Sequence, residues 1–314
     1  MTKRMEREKN MTERIVPSQV YDELYYIEQN GPGGWKHFLD TGGREISEGY
    51  GWMRSLVKLK EGMRILDIGC GRGEYIFRCV VDNRVFGVGV DYSEAAVKIA
   101  NEVTSKLGTE EQRSRMLFVV SDAQKIPFEN ASFDVIFSHH LVEHLFPEQL
   151  QKMLSECNRV LKDEGLLVLE TAPNLWRIKY GFHINRMIFR IPFLGKLYCK
   201  LMEVDKIPKQ AKTSEEALYH VGEQSVLSLR RSLGRNGFKS RVWVGFGNNS
   251  RFSKGAFQKK FGMVKGLLLY CIYALFYGGF PFKLFFGDII YALARPDIRR
   301  KSKAVHMCKG LNVA

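Results

Sequence analysis

The residues of this chain that are best suited to chemistry form a short segment with three glycines at alternate positions, Asp67-Ile68-Gly69-Cys70-Gly71-Arg72-Gly73. The segment continues an apolar run that ends in an acid. A strand that turns sharply into a helix needs backbone without a Cβ atom, because positive φ angles and close approach of a ligand are otherwise sterically costly. The segment therefore predicts a nucleotide-like ligand bound against the main chain between a strand and a helix.

The spacing of this glycine loop narrows the class of ligand. A dinucleotide site usually reads G-x-G-x-x-G, whereas this loop reads Asp67-x-Gly69-x-Gly71-x-Gly73. A phosphate-binding P-loop would end in Gly-Lys-Ser/Thr, and neither the lysine nor the hydroxyl is present here. The loop favours a nucleoside that carries a charged amino-acid tail over a phosphate.

Two acids downstream of the loop extend the pattern. Residues 85–91 form an apolar run that ends at Asp91, at about the offset where dinucleotide folds place the carboxylate that holds a ribose. A third run, residues 116–120, leads into Ser121-Asp122-Ala123. The order of the loop and the two acids along the chain resembles the sequence pattern of the class I S-adenosylmethionine (SAM) methyltransferases. Among these it resembles the group that acts in ubiquinone and menaquinone biosynthesis.

The resemblance covers residues 50–173 closely and residues 220–296 loosely, and it implies SAM as the cofactor. In that family Asp91 would hold the ribose hydroxyls, and Asp122 would accept a hydrogen bond from the adenine amine. The full set of cofactor-binding residues that it implies is Asp67, Gly69, Cys70, Gly71, Gly73, Asp91, Tyr92, Asp122, Ala123 and Ser138. A dehydrogenase that uses NAD is disfavoured, because the third glycine is misplaced.

Strand and helix patterns alternate along the chain, which is typical of a parallel sheet. The expected fold is α/β, with a Rossmann-like, seven-stranded, mostly parallel sheet, helices on both faces, and two insertions near the C-terminal half. The last two strands, at 238–246 and 288–294, would form an antiparallel pair that closes the sheet. Helices are predicted at residues 95–107, 147–161 and 223–236, and the earlier strands at 65–68, 85–91, 116–120, 133–138 and 166–169.

The expected organisation is one domain with insertions, since a chain of 314 residues with 45% hydrophobic residues can bury one large core. It divides into an N-terminal helical gate (1–50), a SAM-binding core (51–173), a basic amphipathic lid (174–220), the completion of the sheet (221–296) with an apolar insertion (251–286), and a basic tail (297–314).

Three histidines follow the fourth predicted strand, at the carboxyl edge of the sheet where ligands bind in such folds. Methyl transfer from SAM aligns nucleophile, methyl carbon and sulfur, and orientation supplies much of the catalysis. A hydroxyl acceptor usually also needs a base. The candidates are His139, His140 and His144, and His140 is the predicted base. Alternatively, His139 could touch SAM, and Glu143-His144 could only cap and pack a helix.

The basic residues are concentrated outside the predicted SAM core. Residues 1–173 contain 22 Lys and Arg against 27 Asp and Glu, whereas residues 174–314 contain 26 against 7. The lid at 174–220 mixes this charge with aromatic and aliphatic residues, as expected of a segment that covers a substrate. Each basic residue near an anionic surface contributes up to about 1 kcal/mol. The C-terminal half is therefore predicted to lie on an anionic membrane.

One stretch, residues 266–282, contains no charged residue over 17 positions and is flanked by Lys259, Lys260, Lys265 and Lys283. This length is at the lower edge of what spans a bilayer, and Gly278-Gly279 and Pro281 interrupt it. An interfacial or re-entrant hairpin is the preferred interpretation. A buried helix is the simpler alternative, and RNA binding is disfavoured because aliphatic residues offer bases little to stack on.

The remaining composition excludes several classes of site. The six cysteines lack CxxC or Cys/His spacing, so no metal or disulfide framework is expected. The charged N-terminus lacks a signal-peptide core, which predicts a cytoplasmic protein held on the inner face of the membrane.

The favoured function is methyl transfer to an oxygen of a lipid or lipid-linked acceptor. The alternatives are a soluble small-molecule O- or N-methyltransferase that dimerises through the apolar insertion, and a SAM-binding accessory protein without turnover.

Overall fold

The structure is a computed structural model that describes residues 16–29, 32–188, 190–191, 196, 210–212, 216–245, 258–260, 262–274 and 281–299. Most of the predicted basic tail, much of the lid and residues 251–257, 261 and 275–280 of the apolar insertion lie outside the described residues.

A seven-stranded sheet forms the centre of the molecule, with the strand order β3-β2-β1-β4-β5-β7-β6. The first five strands are parallel to one another, and β7 runs antiparallel to both β5 and β6. This topology confirms the predicted mostly parallel sheet and its closing antiparallel pair. The strands are β1 (Arg64–Ile68), β2 (Phe86–Asp91), β3 (Met116–Val120), β4 (Phe133–His139), β5 (Leu161–Thr171), β6 (Phe238–Gly245) and β7 (Ile289–Pro296).

Helices cover both faces of this sheet. They are α1 (Pro32–Asp40), α2 (Glu48–Ser55), α3 (Glu74–Asn83), α4 (Glu94–Leu107), α5 (Glu110–Arg113), α6 (Pro147–Val160), α7 (Phe182–Ile188), α8 (Glu216–Tyr219), α9 (Val226–Arg235), α10 (Met263–Tyr273) and α11 (Phe282–Phe286). Short 3-10 turns lie at Ser18–Val20 and Val142–His144, and π-helical turns at Tyr25–Gln29 and Arg177–Gly181. The start of α4 follows its sequence signal, because the hydroxyl of Ser93 caps the helix by accepting from the amide of Ala96 at 3.2 Å.

The hydrophobic core lies on both sides of the sheet because successive strand residues point to opposite faces. On β1, Leu66 and Ile68 pack in the cluster that includes Leu229 of α9. The intervening Ile65 packs in the other cluster, with Ile76 of α3. All of these side chains are fully buried, and burying one contributes about 1.5–3 kcal/mol. The strands are therefore apolar along their whole length, as a sheet buried on two sides requires.

Strand β5 is longer than the predicted strand at 166–169. At its start, Leu161 pairs with Phe133, and the register then shifts so that Leu166 pairs with Val135. At its end, the strand continues through Glu170 and Thr171, which are polar and so interrupt the apolar run from which the strand was predicted. This extension brings a buried acid to the carboxyl edge of the sheet.

The described beginning of the lid packs against the described end of the apolar insertion. The amide of Asn174 donates to the carbonyl of Asp288 at 2.7 Å, and Arg177 Nη1 donates to Asp288 Oδ1 at 2.9 Å. The rings of Trp176 and Phe285 stack with centroids 5.6 Å apart. The beginning of the lid therefore lies against the end of the apolar insertion, beside the carboxyl end of β5.

Helix α10 lies within the predicted apolar insertion and exposes large apolar side chains. The exposed fractions are 72% for Met263, 83% for Val264 and 61% for Leu268. At about 1.5 Å per residue, α10 is about 16 Å long. Among the described residues, no helix combines the length and the apolarity that a bilayer crossing requires.

Candidate active site

The glycine loop turns from β1 into α3 with all three glycines in the left-handed region, at φ 75° for Gly69, 50° for Gly71 and 77° for Gly73. The amides of Gly69 and Cys70 donate to the carbonyl of Val90 at 2.8 and 3.1 Å, which fastens the loop to the end of β2. A Cβ atom on Gly73 would lie 2.8 Å from the ring of Phe118. The third glycine is therefore needed for the packing of α3 on the sheet.

Asp91, at the end of β2, is buried and holds the loop from the other side. Its carboxylate accepts from the amide of Gly71 at 3.0 Å, the amide of Ser93 at 2.9 Å and the hydroxyl of Tyr26 at 3.5 Å. Burial raises the pKa of Asp91, and the two amide hydrogen bonds oppose that shift. The predicted ribose acid thus lies directly against the middle glycine of the loop.

Asp67, at the end of β1, is the second buried acid of the loop. Its Oδ1 atom has no hydrogen-bond partner among the described residues. Burial and the charge of Asp91 raise the pKa of Asp67 to about 8. Two buried carboxyls beside an open-backbone loop favour a cationic ligand over an anionic one. SAM fits this arrangement, because it carries a sulfonium and an ammonium group on a nucleoside.

The other predicted cofactor residues lie around the ends of β2, β3 and β4, with differing exposure. Asp122 is exposed, and its Oδ1 accepts from the amide of Gln124 at 2.8 Å. The amide of Ser121 donates to the carbonyl of Asp91 at 2.8 Å, which keeps the two strand ends together. Ala123 is buried, and the hydroxyl of Tyr92 donates to the carbonyl of Val16 at 3.0 Å. These contacts leave the Asp122 region accessible at the predicted adenine side.

Two predicted cofactor residues turn their side chains toward the protein interior. The Cys70 side chain packs beneath the loop, since a Cβ on Gly89 would meet its Sγ at 2.8 Å. The Ser138 side chain is fully buried, and its Oγ has no hydrogen-bond partner among the described residues. Any contact of Cys70 with a cofactor would therefore come from its backbone.

His140, the predicted base, is held by a buried glutamate. Its Nδ1 lies 2.9 Å from Oε1 of Glu143, and its side chain is 43% exposed. The residue has φ 51°, which is uncommon outside glycine and is typical of functional sites. Burial lowers the pKa of His140, but the hydrogen bond to Glu143 and the charges of Glu143 and Glu170 raise it to about 9.

Glu143 is the centre of a small polar network. Its Oε2 accepts from the hydroxyl of Thr171 at 2.7 Å, and its backbone carbonyl accepts from the amides of Val221 and Gly222. Burial raises the pKa of Glu143, but the hydrogen bond and charge of His140 outweigh burial and lower it to about 2. Glu143 is therefore an ionised, fixed acceptor for His140.

His139 ends β4 and faces a different environment from His140. Its ring packs on Tyr50 with centroids 4.4 Å apart, and its Nε2 lies 3.4 Å from Oε1 of Glu170. Burial lowers the pKa of His139 well below its usual value, while burial raises the pKa of Glu170 to about 7. His139 is therefore a neutral, largely buried imidazole beside a carboxyl.

His144 is tied to the N-terminal segment. Its Nδ1 lies 2.9 Å from the hydroxyl of Tyr21, and its ring meets the ring of His220 edge-on with centroids 4.9 Å apart. Burial lowers the pKa of His144 to about 4. This environment fits the alternative in which His144 packs and orients structure.

Four further residues of the site, Glu170, Thr171, Tyr21 and Tyr26, are not predicted from the sequence. Glu170 does carry one signal, because an acid at the end of an apolar strand marks the carboxyl edge of a sheet, as it did at Asp67 and Asp91. Tyr21 and Tyr26 lie in a segment without clear periodicity, where no sequence pattern distinguishes them.

The two groups of residues adjoin because β1 and β4 are neighbours. Asp67 and Phe137 are register partners, and His139 follows two residues later on the same face. A Cβ on Gly69 would lie 3.2 Å from the Cβ of Leu141, next to His140. The loop with its two acids and the histidine and glutamate cluster therefore form one continuous site along the carboxyl edge.

The sequence of this chain is similar to those of known methyltransferases. A family model described as "Methyltransferase domain" matches residues 66–169. The 27-O-demethylrifamycin SV methyltransferase of Amycolatopsis mediterranei (strain S699) is 33% identical over 117 residues, which cover 37% of this chain and 41% of that protein. The demethylmenaquinone methyltransferase of Lactococcus lactis subsp. lactis (strain IL1403) is 31% identical over 195 residues, which cover 55% of this chain and 74% of that protein.

The fold is also similar to that of a solved enzyme structure. Phosphoethanolamine N-methyltransferase 2 of Haemonchus contortus, in complex with S-adenosyl-L-methionine, superposes with a TM-score of 0.56 at 19% identity, covering 90% of this chain and 60% of that one. The chain spans less than half of the rifamycin relative's length and about three quarters of the quinone relative's length. The matched domain, the similarity to these relatives and the fold together show that this chain belongs to the class I family of SAM-dependent methyltransferases.

Proposed function

We propose that this protein transfers the methyl group of SAM to an oxygen of a lipid or lipid-linked acceptor at a membrane surface. The observation that carries the proposal is the continuity of two half-sites, a glycine loop with two buried acids and a histidine held by a buried glutamate. A methyl donor and an acceptor hydroxyl need sites of these two kinds side by side.

The cofactor half of the site would bind SAM through its backbone and its acids. The loop from Gly69 to Gly73 lets the ligand approach the main chain. Asp91 would accept from the ribose hydroxyls, and Asp67 would accept from the ammonium group with the oxygen that has no other described partner. SAM supplies an activated methyl group, and the protein aligns it with the acceptor.

The acceptor half of the site would remove a proton from the attacking hydroxyl. His140 is the proposed base because its side chain is partly exposed while its Nδ1 faces Glu143. Glu143 would fix the ring and stabilise the imidazolium that forms, and the Thr171 hydroxyl would hold Glu143 in turn. Since the pairing with Glu143 favours protonated His140, the neutral base becomes more abundant as the pH rises.

The insertions support a lipid or lipid-linked acceptor. The contact between the beginning of the lid and the end of the apolar insertion includes Asp288. The charge of Asp288 acts on His140, so this contact lies beside the acceptor half of the site. Helix α10 exposes Val264 and Leu268, and Lys259 and Lys265 are exposed nearby in the chain. Apolar residues beside cationic ones suit a protein that lies on an anionic membrane surface. Such a position would present a membrane-bound acceptor to His140.

Two other functions are compatible with the same site. The protein could methylate an oxygen or nitrogen of a soluble small molecule, with the exposed face of α10 forming a dimer interface. It could also bind SAM as an accessory protein without turnover. One relative is named for a rifamycin derivative and the other for a menaquinone precursor. The quinone relative aligns over more of this chain, which supports the lipid acceptor.

The test is an acceptor screen with SAM labelled at the methyl group. The full-length protein is incubated with the organic and the aqueous fractions of a lysate of its source cells, and label in each fraction is measured. We expect label in the organic fraction. Label in the aqueous fraction alone would support the soluble alternative, and SAM binding without label in either fraction would support the accessory protein.

A further inference from the structure

We propose that His139, His140 and Glu170 form a binding site for a divalent transition-metal ion such as Zn²⁺. The three residues lie at the carboxyl ends of β4 and β5, in the acceptor half of the site. The sequence contains no metal-ligand spacing of the usual kind, because two of the ligands are consecutive and the third comes from the neighbouring strand.

The distances between the three side chains match those of a metal site. The Nε2 atoms of His139 and His140 lie 3.4 and 3.5 Å from the same oxygen, Oε1 of Glu170. With bonds of about 2.1 Å from zinc to nitrogen or oxygen, two tetrahedral ligand atoms lie about 3.4 Å apart. One ligand atom from each of the three residues lies within 4.8 Å of the other two. Both observed distances exceed an ordinary hydrogen bond and equal the edge of a coordination tetrahedron.

Two of the ligand groups have polar atoms that the described protein leaves without a hydrogen bond. These are Nε2 of His139 and Oε2 of Glu170. The Glu170 side chain is 1% exposed, so water does not readily replace the missing partner. Buried polar groups are nearly always paired, and an unpaired one indicates an ion or a water at the site. An ion held by Nε2 of His139 and by the carboxylate of Glu170 would give each of these side chains a partner.

The surroundings of His140 match those of a metal-bound histidine. The other ring nitrogen of such a histidine usually donates a hydrogen bond to a carboxylate, which fixes the tautomer and the orientation of the ring. Here Nδ1 of His140 lies 2.9 Å from Glu143, and Glu143 is itself held by Thr171 at 2.7 Å. The Nε2 atom of His140 faces Glu170. His140 has a φ of 51°, and the two consecutive histidines both approach the same oxygen of Glu170.

The chemistry of the three donors selects the class of ion. Two imidazoles and one carboxylate suit zinc, iron, manganese, cobalt or nickel, whereas calcium and magnesium prefer sets of oxygen ligands. Three protein ligands leave a coordination position open, as in sites that also bind a substrate or water. The consequence for activity rests on the proposed function: an ion on Nε2 of His140 occupies the atom of the proposed base and would inhibit methyl transfer.

The test is ion binding by the full-length protein after removal of any affinity tag and treatment with a chelator. Zn²⁺ is titrated by calorimetry, and Co²⁺ by its visible absorption, which reports a coordination sphere with nitrogen ligands. We expect one ion per chain. Loss of a residue that hydrogen-bonds a metal ligand lowers the affinity for the ion about 10- to 100-fold, and we expect an effect in this range for Glu143→Gln. The variants His139→Ala and Glu170→Gln each remove a ligand and should lower the affinity by more than this.

A surface pair provides the matched control. His37 Nε2 lies 2.7 Å from Glu45 Oε2, and both side chains are mostly exposed. The variants His37→Ala and Glu45→Gln should bind as the wild type does, and thermal unfolding confirms that each variant is folded.

Two binding results would overturn the proposal. One is no binding by the wild type at micromolar ion, and the other is unchanged affinity in folded His139→Ala and Glu170→Gln. Specific binding without inhibition of methyl transfer would support the metal site and contradict His140 as the base, so the two proposals fail separately.

Discussion

His139 of β4 and Glu170 of β5 are register partners on neighbouring parallel strands, and Nε2 of the histidine lies 3.4 Å from Oε1 of the glutamate. Register partners point to the same face of a sheet. A buried carboxyl is thereby fixed beside the histidines at the edge where the glycine loop also ends. The acceptor half of the site depends on this pairing.

The first prediction concerns the packing of the glycine loop. Gly73→Ala should destabilise the protein by about 2 kcal/mol or more, because the new Cβ would lie 2.8 Å from the ring of Phe118 at φ 77°. Gly51→Ala is the control, since Gly51 lies in α2 with nothing within 4 Å of its Cβ position, and it should be neutral or stabilise by up to about 1 kcal/mol. Urea unfolding measures both, and equal effects would contradict the packing role.

The second prediction concerns the ribose acid. Asp91→Ala should weaken SAM binding by at least about tenfold, because one charged hydrogen bond contributes about 1.5–3 kcal/mol. Calorimetry with SAM and its demethylated product measures the effect. Asp82→Ala, an acid on the outer end of α3 that pairs with Arg54 and Arg78, serves as the control. Unchanged SAM affinity in folded Asp91→Ala protein would remove this residue from the cofactor site.

The third prediction concerns Glu143 as a positioning residue. Glu143→Gln keeps the shape of the side chain but removes the charge that orients and stabilises His140. We expect kcat for methyl transfer to fall at least about tenfold, with little change in the KM for SAM, since Glu143 lies in the acceptor half. A rise in the KM for SAM at constant kcat would place Glu143 in the cofactor half instead.

The fourth prediction concerns the membrane surface. Replacing Val264 and Leu268 of α10 by glutamate should reduce co-flotation with anionic liposomes, because both exposed apolar side chains would become charged. Leu227→Glu is the matched control, since Leu227 is 55% exposed on α9. Loss of a dimer in the α10 variant, with liposome binding unchanged, would favour the soluble alternative.

Much of the cofactor half was predictable because its chemistry is local in sequence. The glycine loop, Asp91 and Asp122 each follow an apolar strand, and parallel strands bring their carboxyl ends to one edge. His139 and His140 were predicted to lie at the same edge because they follow the fourth strand. The seven-stranded, mostly parallel sheet and its antiparallel closing pair followed from the family resemblance and are confirmed.

The acceptor half was less predictable because its contacts are long-range. Glu170 belongs to a strand whose register shifts after Leu161, and only the pairing of β4 with β5 brings it to His139. Tyr21 and Tyr26 come from the N-terminal segment, which reaches His144 and Asp91 through tertiary packing alone. The joining of the two insertions through Asn174 and Asp288 is likewise a contact between distant residues.

The measurement that tests the central claim most directly is methyl transfer by His140→Ala, with the wild type and His183→Ala as references. His183 is exposed on α7 and lies outside the cluster. The account predicts that His140→Ala binds SAM with unchanged affinity and transfers labelled methyl to the lipid fraction about 100-fold more slowly or worse. Turnover by folded His140→Ala equal to that of the wild type would contradict it.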